Sequence, residues 1–141
     1  MNANIQKLCS YISYFENVTS EVACQWVDSE KNDDGAVQFR YPMYEKAFDD
    51  FVHAFYESDL AVPNYSEALE RRFPDWQTAD WKVAIQSADF ELVMAMLTKC
   101  IRVERFCEGA WDSYIRKGLF LDLLLRLEAL LETGQIPNGS D

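Results

Sequence analysis

The sequence has few of the residues on which several common functions depend. Its 141 residues include one histidine, His53, and five glycines that are scattered singly along the chain. A phosphate-binding loop needs glycines at close, fixed spacing, so the sequence predicts no such nucleotide site. The four cysteines form no Cys-X-X-Cys pair, and zinc sites need clustered cysteine and histidine ligands, so no metal site is expected.

The sequence also contains no pattern that predicts a catalytic residue or a cofactor. A cysteine nucleophile would depend on His53 as its base, and Cys100 and Cys107 fall on an apolar helix face, where cysteine behaves as a small hydrophobic residue. The acidic segment Asp28–Gly35 fails as an EF-hand calcium loop. Aligning its glycine with the loop glycine places Tyr41 where a bidentate glutamate is required.

Basic residues are scarce as well. The chain has 13 lysines and arginines against 24 aspartates and glutamates, and its net charge is −11. Residues 1–70 hold four basic residues against thirteen acidic ones, a net charge of −9. Such a field repels phosphate groups, so binding to nucleic acid or to an acidic membrane surface is not expected. A basic partner protein, or none, suits this charge better, and solubility alone is sufficient to explain it.

Long apolar runs are missing too. The longest, residues 119–131, is interrupted by Asp122, Arg126 and Glu128, and it is too short and too charged to span a bilayer. The first fifteen residues do not have the basic region and apolar run of a signal peptide. We therefore expect a cytoplasmic protein whose cysteines are reduced thiols.

Apolar residues are plentiful, at 49% of the chain, and their spacing predicts a fold. We expect one helical domain over residues 1–134, followed by a flexible C-terminal tail, 135–141. The helical spacing predicts helices over residues 4–16, 43–58, 89–108, 110–117 and 119–132, with shorter helical segments after Pro63 and between Asp75 and Ser87.

Residues 22–41 break the helical spacing. Apolar residues alternate around Cys24 and again from Val37 to Tyr41, which predicts two strands of a hairpin whose tip is the acidic segment Asp28–Gly35. Pro42 is then expected to open the next helix. The predicted fold class is mainly α, a compact helical bundle with a small β-hairpin near residues 22–41.

The helix over residues 119–132 is apolar on almost every side. A helix of this kind is either the central helix of a bundle or part of a subunit interface. The sequence does not decide between the two, so a homodimer through residues 119–132 is a candidate assembly.

The candidate binding residues are Arg102, Arg105, Glu108, Trp111 and Tyr41. The first three, at spacing i, i+3 and i+6, would line one side of the helix over 89–108. Two arginines there could hold an anion or a partner's carboxylate, beside aromatic faces from Trp111 and Tyr41. The alternative is an internal network in which the arginines pair with acidic residues of the chain itself.

The segment Arg105–Gly109, Arg-Phe-Cys-Glu-Gly, resembles the signature of an uncharacterised bacterial family known only as a domain of unknown function. The resemblance extends from about Trp26 to Leu131. It includes Phe39–Pro42, Phe55-Tyr56 and Gly118. Family members have Ala-Asp before the arginine, where this chain has Val103-Glu104, so a role for a short acidic side chain is not carried over. The resemblance implies a bacterial cytosolic protein and supplies no activity.

Two functions remain open from the sequence. The first is a non-enzymatic protein–protein interaction module, either a homodimer or a complex with a basic partner. The second is a small-molecule or anion-binding domain, and even an enzyme, that uses Arg102, Arg105 and Glu108 beside an aromatic pocket. An acidic mimic of nucleic acid is a third reading, ranked below both.

Overall fold

Helices form most of the chain in the computed structural model, which describes residues 2–28 and 40–137. They are α1 (Asn2–Cys9), α2 (Ile12–Asn17), α3 (Ser20–Ala23), α4 (Lys46–Glu57), α5 (Tyr65–Arg72), α6 (Trp81–Ile85), α7 (Phe90–Arg102), α8 (Ala110–Lys117) and α9 (Leu119–Glu132). A turn of 3-10 helix, Val103–Arg105, follows α7. Strands β1 (Cys24–Asp28) and β2 (Arg40–Tyr44) form an antiparallel pair between α3 and α4. The predicted fold class, mainly α with a small β-hairpin, is confirmed.

Helix α9 lies at the centre of the core. It packs against α1, α2, α6, α7 and α8. Its side chains at 120, 123, 124, 127 and 130 have no exposed surface. Leu125, 40% exposed, is the large apolar side chain of this helix that faces outward. The core therefore accounts for nearly all of the helix's apolar surface, and the homodimer through residues 119–132 stays a prediction.

An aromatic cluster joins the N-terminal helices to α4 and α9. Four phenylalanine rings form it: Phe15, Phe48, Phe51 and Phe120. The ring centroids lie 5.0–5.8 Å apart in four pairs, Phe15–Phe51, Phe15–Phe120, Phe48–Phe120 and Phe51–Phe120. Edge-to-face pairs at this separation add about 0.5–1.5 kcal/mol each beyond the burial of apolar area.

The predicted helix over 4–16 is broken into α1 and α2 at Ser10 and Tyr11. The Ser10 hydroxyl donates a hydrogen bond to the Lys7 carbonyl, and the Tyr11 amide bonds to the carbonyl of Leu8 rather than to that of Lys7. A serine hydroxyl that bonds to the preceding turn competes with the helical ladder, which explains the break.

The prediction that Pro42 opens a helix is wrong. Pro42 lies in β2 opposite Trp26, and α4 begins at Lys46 after Glu45. A strand of a two-stranded sheet has an unpaired edge, so a proline without an N–H group is tolerated there. Of the predicted hairpin, Val22 falls in α3, while Val37 and most of the tip lie outside the described residues.

The predicted helix over 89–108 ends early, at Arg102. The chain tightens into the 3-10 turn and then leaves helical geometry, so Cys107 is exposed and not on an inward face. Helix α8 follows as predicted and ends at Gly118, whose φ of 73° is the left-handed conformation expected after a helix.

No helix among residues 2–28 and 40–137 combines the length and the apolar character needed to cross a membrane.

Candidate functional site

The structure does not bring the predicted binding residues together in one pocket. Arg102 is the last residue of α7, and its Nε atom is buried without a hydrogen-bond partner among the described residues. The Arg105 guanidinium lies 6.0 Å from the ring centre of Tyr56. Glu108 is exposed in the turn before α8, because the helix that would have aligned it with the arginines has already ended.

Trp111 packs against the core. Its indole Nε1 donates to the carbonyl oxygens of Cys100 and Ile101, both at 3.0 Å, and its ring lies 5.1 Å from Tyr44 and 5.2 Å from Phe48. These bonds satisfy two carbonyl groups at the end of α7, where the helical ladder leaves them without partners. Tyr41 lies on β2 opposite Val27.

Glu104 organises the turn between α7 and α8. One carboxylate oxygen accepts from the Gly109 amide at 2.9 Å and from the Tyr44 hydroxyl at 3.1 Å, and the other accepts from the Trp111 amide at 2.9 Å. A carboxylate at the start of a helix satisfies free amide groups and complements the helix dipole. Burial, followed by the negative charge of Glu104, raises the pKa of Tyr44 above its ordinary range.

Asp112 connects the sheet to α8. This buried side chain accepts from Trp26 Nε1 at 3.0 Å and from Arg116 Nε at 3.2 Å through one oxygen, while its other oxygen has no partner in the described part of the chain. Burial and the charge of Asp112 raise the pKa of the neighbouring Cys24 thiol to about 11.

A pocket of about 470 Å³ opens on another side of the molecule. Four parts of the chain form it: the segment before α6, the start of α6, the last turn of α7, and α8 with its junction to α9. Its aromatic and basic lining residues are Trp76, Trp81, Lys82, Lys99, Tyr114 and Lys117. The volume falls within the range of small-molecule sites in proteins.

Lys99 is the central polar group of this pocket. Its ammonium donates a 2.6 Å hydrogen bond to the Tyr114 hydroxyl and lies 5.0 Å from the centre of that ring. The rings of Trp81 and Trp76 lie 5.5 and 6.0 Å from the same nitrogen. No carboxylate of residues 2–28 or 40–137 forms an ion pair with Lys99.

The Tyr114 hydroxyl is a second polar group that a ligand can use. It accepts from Lys99, and within the described residues its own hydrogen has no acceptor. Burial raises the pKa of Tyr114, and the hydrogen bond from Lys99 opposes that increase only in part. The hydroxyl therefore stays protonated at neutral pH and can donate to an anion.

Hydrogen bonds hold the walls of the pocket in place. Trp81 Nε1 donates to the backbone carbonyl of Trp76 at 2.7 Å, which holds the Trp81 indole against the segment before α6. The Lys82 ammonium donates to the Lys117 carbonyl at 2.7 Å and to Asp122 at 2.6 Å, which ties α6 to the junction of α8 and α9. These bonds restrict the movement of the side chains that line the pocket.

Comparison with known proteins identifies the family. The model of a family of unknown function, DUF6508, matches residues 1–133. The chain belongs to DUF6508. No curated protein and no solved structure is significantly similar to this DUF6508 chain, so neither comparison supplies an activity or a ligand for it.

Sequence reasoning missed the pocket of this DUF6508 protein for a physical reason. Trp76 and Trp81 stand out only as aromatic residues of the kind found at interfaces, and Lys99 is one of several polar residues in a mainly apolar helix. A lysine on the half-buried side of a helix is the one available signal. The sequence does not show that this lysine lies in a pocket, because the rings around it belong to residues at least fifteen positions away in the chain.

Proposed function

We propose that this protein binds a small organic anion with a flat apolar part in the pocket around Lys99. The observation that carries the proposal is the Lys99 ammonium, which lies among three aromatic rings and has no carboxylate partner among the described residues. The anionic group of the ligand would accept from Lys99 and from the Tyr114 hydroxyl.

The local charge supports an anion. Three lysines and one aspartate, Asp80, line the pocket, in a chain whose net charge is −11. Lys82 is paired with Asp122, so Lys99 and Lys117 together outnumber Asp80 and leave one unbalanced positive charge in the lining. A positive pocket on an acidic protein selects anions locally, because charges more than about 8 Å away are largely screened at physiological ionic strength.

The two indoles support a flat apolar group. Trp76 and Trp81 are half-buried, and each presents part of its ring to the pocket. Aromatic walls with a few fixed polar groups are typical of small-molecule sites. Small anions such as acetate or phosphate would leave the indole faces uncovered. We therefore expect an aromatic carboxylate or an aromatic phosphate ester to bind more tightly than either of them.

The sequence also predicts a protein–protein interaction module, either a homodimer or a complex with a basic partner. That function stays a prediction, and binding of an anion in the Lys99 pocket is compatible with it.

We also propose a bacterial cytosolic setting. The resemblance of the Arg105–Gly109 segment supports it, as do the four cysteines, which are all free thiols. Fractionation of bacterial cells that express the natural protein, followed by immunodetection in each fraction, would test whether it lies in the cytosol.

A thermal-shift panel tests the binding proposal. The probes are benzoate, 1-naphthoate, indole-3-carboxylate and phenyl phosphate, each carboxylate accompanied by its neutral amide. A ligand at ten times its Kd stabilises the folded state by about 1.4 kcal/mol, which raises Tm by several degrees in a domain of this size. We expect shifts for anions and none for the amides.

Variants of the pocket complete this experiment. Lys99→Met and Tyr114→Phe should reduce or remove the shift, whereas Lys46→Met, the same change at an exposed lysine on α4, should leave it intact. The proposal is wrong if no anion raises Tm, or if Lys99→Met and Lys46→Met respond alike to the anions that do.

A further inference from the structure

Phe106 is the most exposed large apolar side chain in the described part of the protein. It is 83% exposed, in the turn between α7 and α8 and within the Arg105–Gly109 segment. Burying a phenylalanine side chain is worth about 1.5–3 kcal/mol, so a fold that leaves it in water forgoes that stabilisation. Phenylalanine is among the residues that are enriched at protein interfaces.

The turn holds Phe106 in its exposed position through backbone hydrogen bonds. The Val103 carbonyl accepts from the amides of Phe106 and Cys107, both at 2.9 Å, and Glu104 accepts from the Gly109 amide beyond them. These bonds fix the backbone on both sides of Phe106. A residue presented on an ordered backbone loses little conformational entropy when it binds a partner.

The two arginines next to this turn have no acceptor among the residues that the structure describes. The chain has seven arginines. Arg40, Arg71, Arg72 and Arg116 form ion pairs, and Arg126 donates to a carbonyl group. Arg102 and Arg105 alone form neither an ion pair nor a hydrogen bond with any described residue, although the chain has 24 acidic side chains.

Arg105 is nevertheless positioned. Its guanidinium lies 6.0 Å from the ring centre of Tyr56, a side chain that is itself 37% exposed. Contact with an aromatic face orients an arginine and leaves its N–H groups free for a carboxylate. We call Tyr56, Arg105 and Phe106 the Phe106 patch. Tyrosine, arginine and phenylalanine are all enriched at protein interfaces.

We propose that the Phe106 patch binds an acidic, apolar peptide segment of another protein. A carboxylate of that segment would pair with Arg105, and an adjacent apolar side chain would cover Phe106. Arg105 has no carboxylate partner among residues 2–28 and 40–137, so an acidic occupant would satisfy it and a basic one would not. This inference is independent of the Lys99 pocket, which no residue of the patch lines.

Selection from a random library tests the proposal without assuming a partner sequence. The full chain, biotinylated at its C-terminus, would be used to select random twelve-residue peptides by mRNA display. Enriched peptides would then be measured one by one by fluorescence anisotropy. We expect them to contain Asp or Glu next to Leu, Ile, Phe or Trp. We also expect Arg105→Glu and Phe106→Ser each to weaken their binding at least tenfold.

The controls separate this surface from any other apolar surface. Val83→Ser changes a different exposed apolar residue, 62% exposed on α6, and should leave peptide binding unchanged. Melting curves would show that the variants fold. The proposal is overturned if no peptide is enriched, if basic peptides are enriched instead, or if Phe106→Ser and Val83→Ser act alike. It is also overturned if light scattering shows a dimer that Phe106→Ser dissociates, because the occupant is then a second copy of this chain.

Discussion

The indole of Trp26 lies so close to Gly109 that a Cβ atom on that glycine would be 2.6 Å from Cη2 of the ring. Gly109 also has a φ of 92°, in the left-handed region that disfavours side chains. The same indole donates a hydrogen bond to Asp112. Strand β1 is therefore attached to the start of α8 by one close packing contact and one buried hydrogen bond.

Replacing Gly109 with alanine should destabilise the protein strongly. The left-handed backbone and the contact with Trp26 each add a penalty, and together we expect a loss of about 2–4 kcal/mol in the free energy of unfolding. Denaturant unfolding followed by circular dichroism measures it. Gly134→Ala is the matched control, because Gly134 also has a positive φ, 72°, but no atom lies within 4 Å of its added Cβ.

A double-mutant cycle separates the two penalties at Gly109. In a Trp26→Ala background the contact is absent, so Gly109→Ala should cost no more than Gly134→Ala, about 1 kcal/mol. An equal cost of Gly109→Ala in both backgrounds would show that the indole does not restrict this position.

Glu104→Gln should destabilise the turn that presents Phe106. The carboxylate accepts three hydrogen bonds, and an amide offers one uncharged acceptor oxygen in its place. We expect a loss of about 1–3 kcal/mol. Glu108→Gln, at an exposed residue four positions away, should change stability by less than about 0.5 kcal/mol. Similar values for the two variants would contradict the assigned role of Glu104.

Asp89 should make stability depend on pH in the acid range. Partial burial raises the pKa of Asp89, but the hydrogen bonds from Arg72 and from the Leu92 amide outweigh it and lower the pKa below its ordinary value. A lowered folded-state pKa gives a stabilisation that is present above about pH 4 and is lost as the pH falls through that lowered value. The exposed ion pair limits the effect to less than about 1 kcal/mol.

Asp89→Asn isolates that contribution. Asparagine keeps the capping acceptor for the Leu92 amide but cannot ionise. The difference in unfolding free energy between wild type and Asp89→Asn, measured in urea at pH 6, 4 and 2, should decrease steadily. In an Arg72→Met background, the effect of Asp89→Asn on the unfolding free energy at pH 6 should be smaller. A difference that grows on acidification would reverse the assigned sign.

The four cysteines should differ sharply in reactivity. Cys107 is exposed, whereas burial raises the pKa of Cys9 and Cys24 to about 11 and that of Cys100 to about 12. Ellman's reagent at pH 8 should therefore modify one thiol rapidly in the native protein and all four after denaturation. Cys107→Ser should remove the rapid phase. A second rapid thiol in that variant would contradict the assignment of the rapid phase to Cys107 alone.

Much of the fold could be predicted from local pattern. The spacing of apolar residues predicts α8 and α9 with nearly their observed bounds, since Gly118 and Gly134 mark the ends of these helices. The predicted end of α7 and the predicted start of α4 differ from the observed ones. Local pattern favours a longer α7, and it treats Pro42 as a helix start because an isolated sequence does not show that a sheet edge is available.

The candidate site depended on tertiary structure. The sequence by itself determined that the chain is acidic, rich in aromatic residues and mainly helical, because those properties follow from composition and from spacing within a few turns. It also drew attention to the arginines, two of which lack internal partners among the described residues. The fold alone decided that Trp111 joins the core and that Trp76, Trp81, Lys99 and Tyr114 meet in one pocket. Contacts between residues on separate elements depend on how those elements pack, and no short-range pattern in the chain encodes that packing.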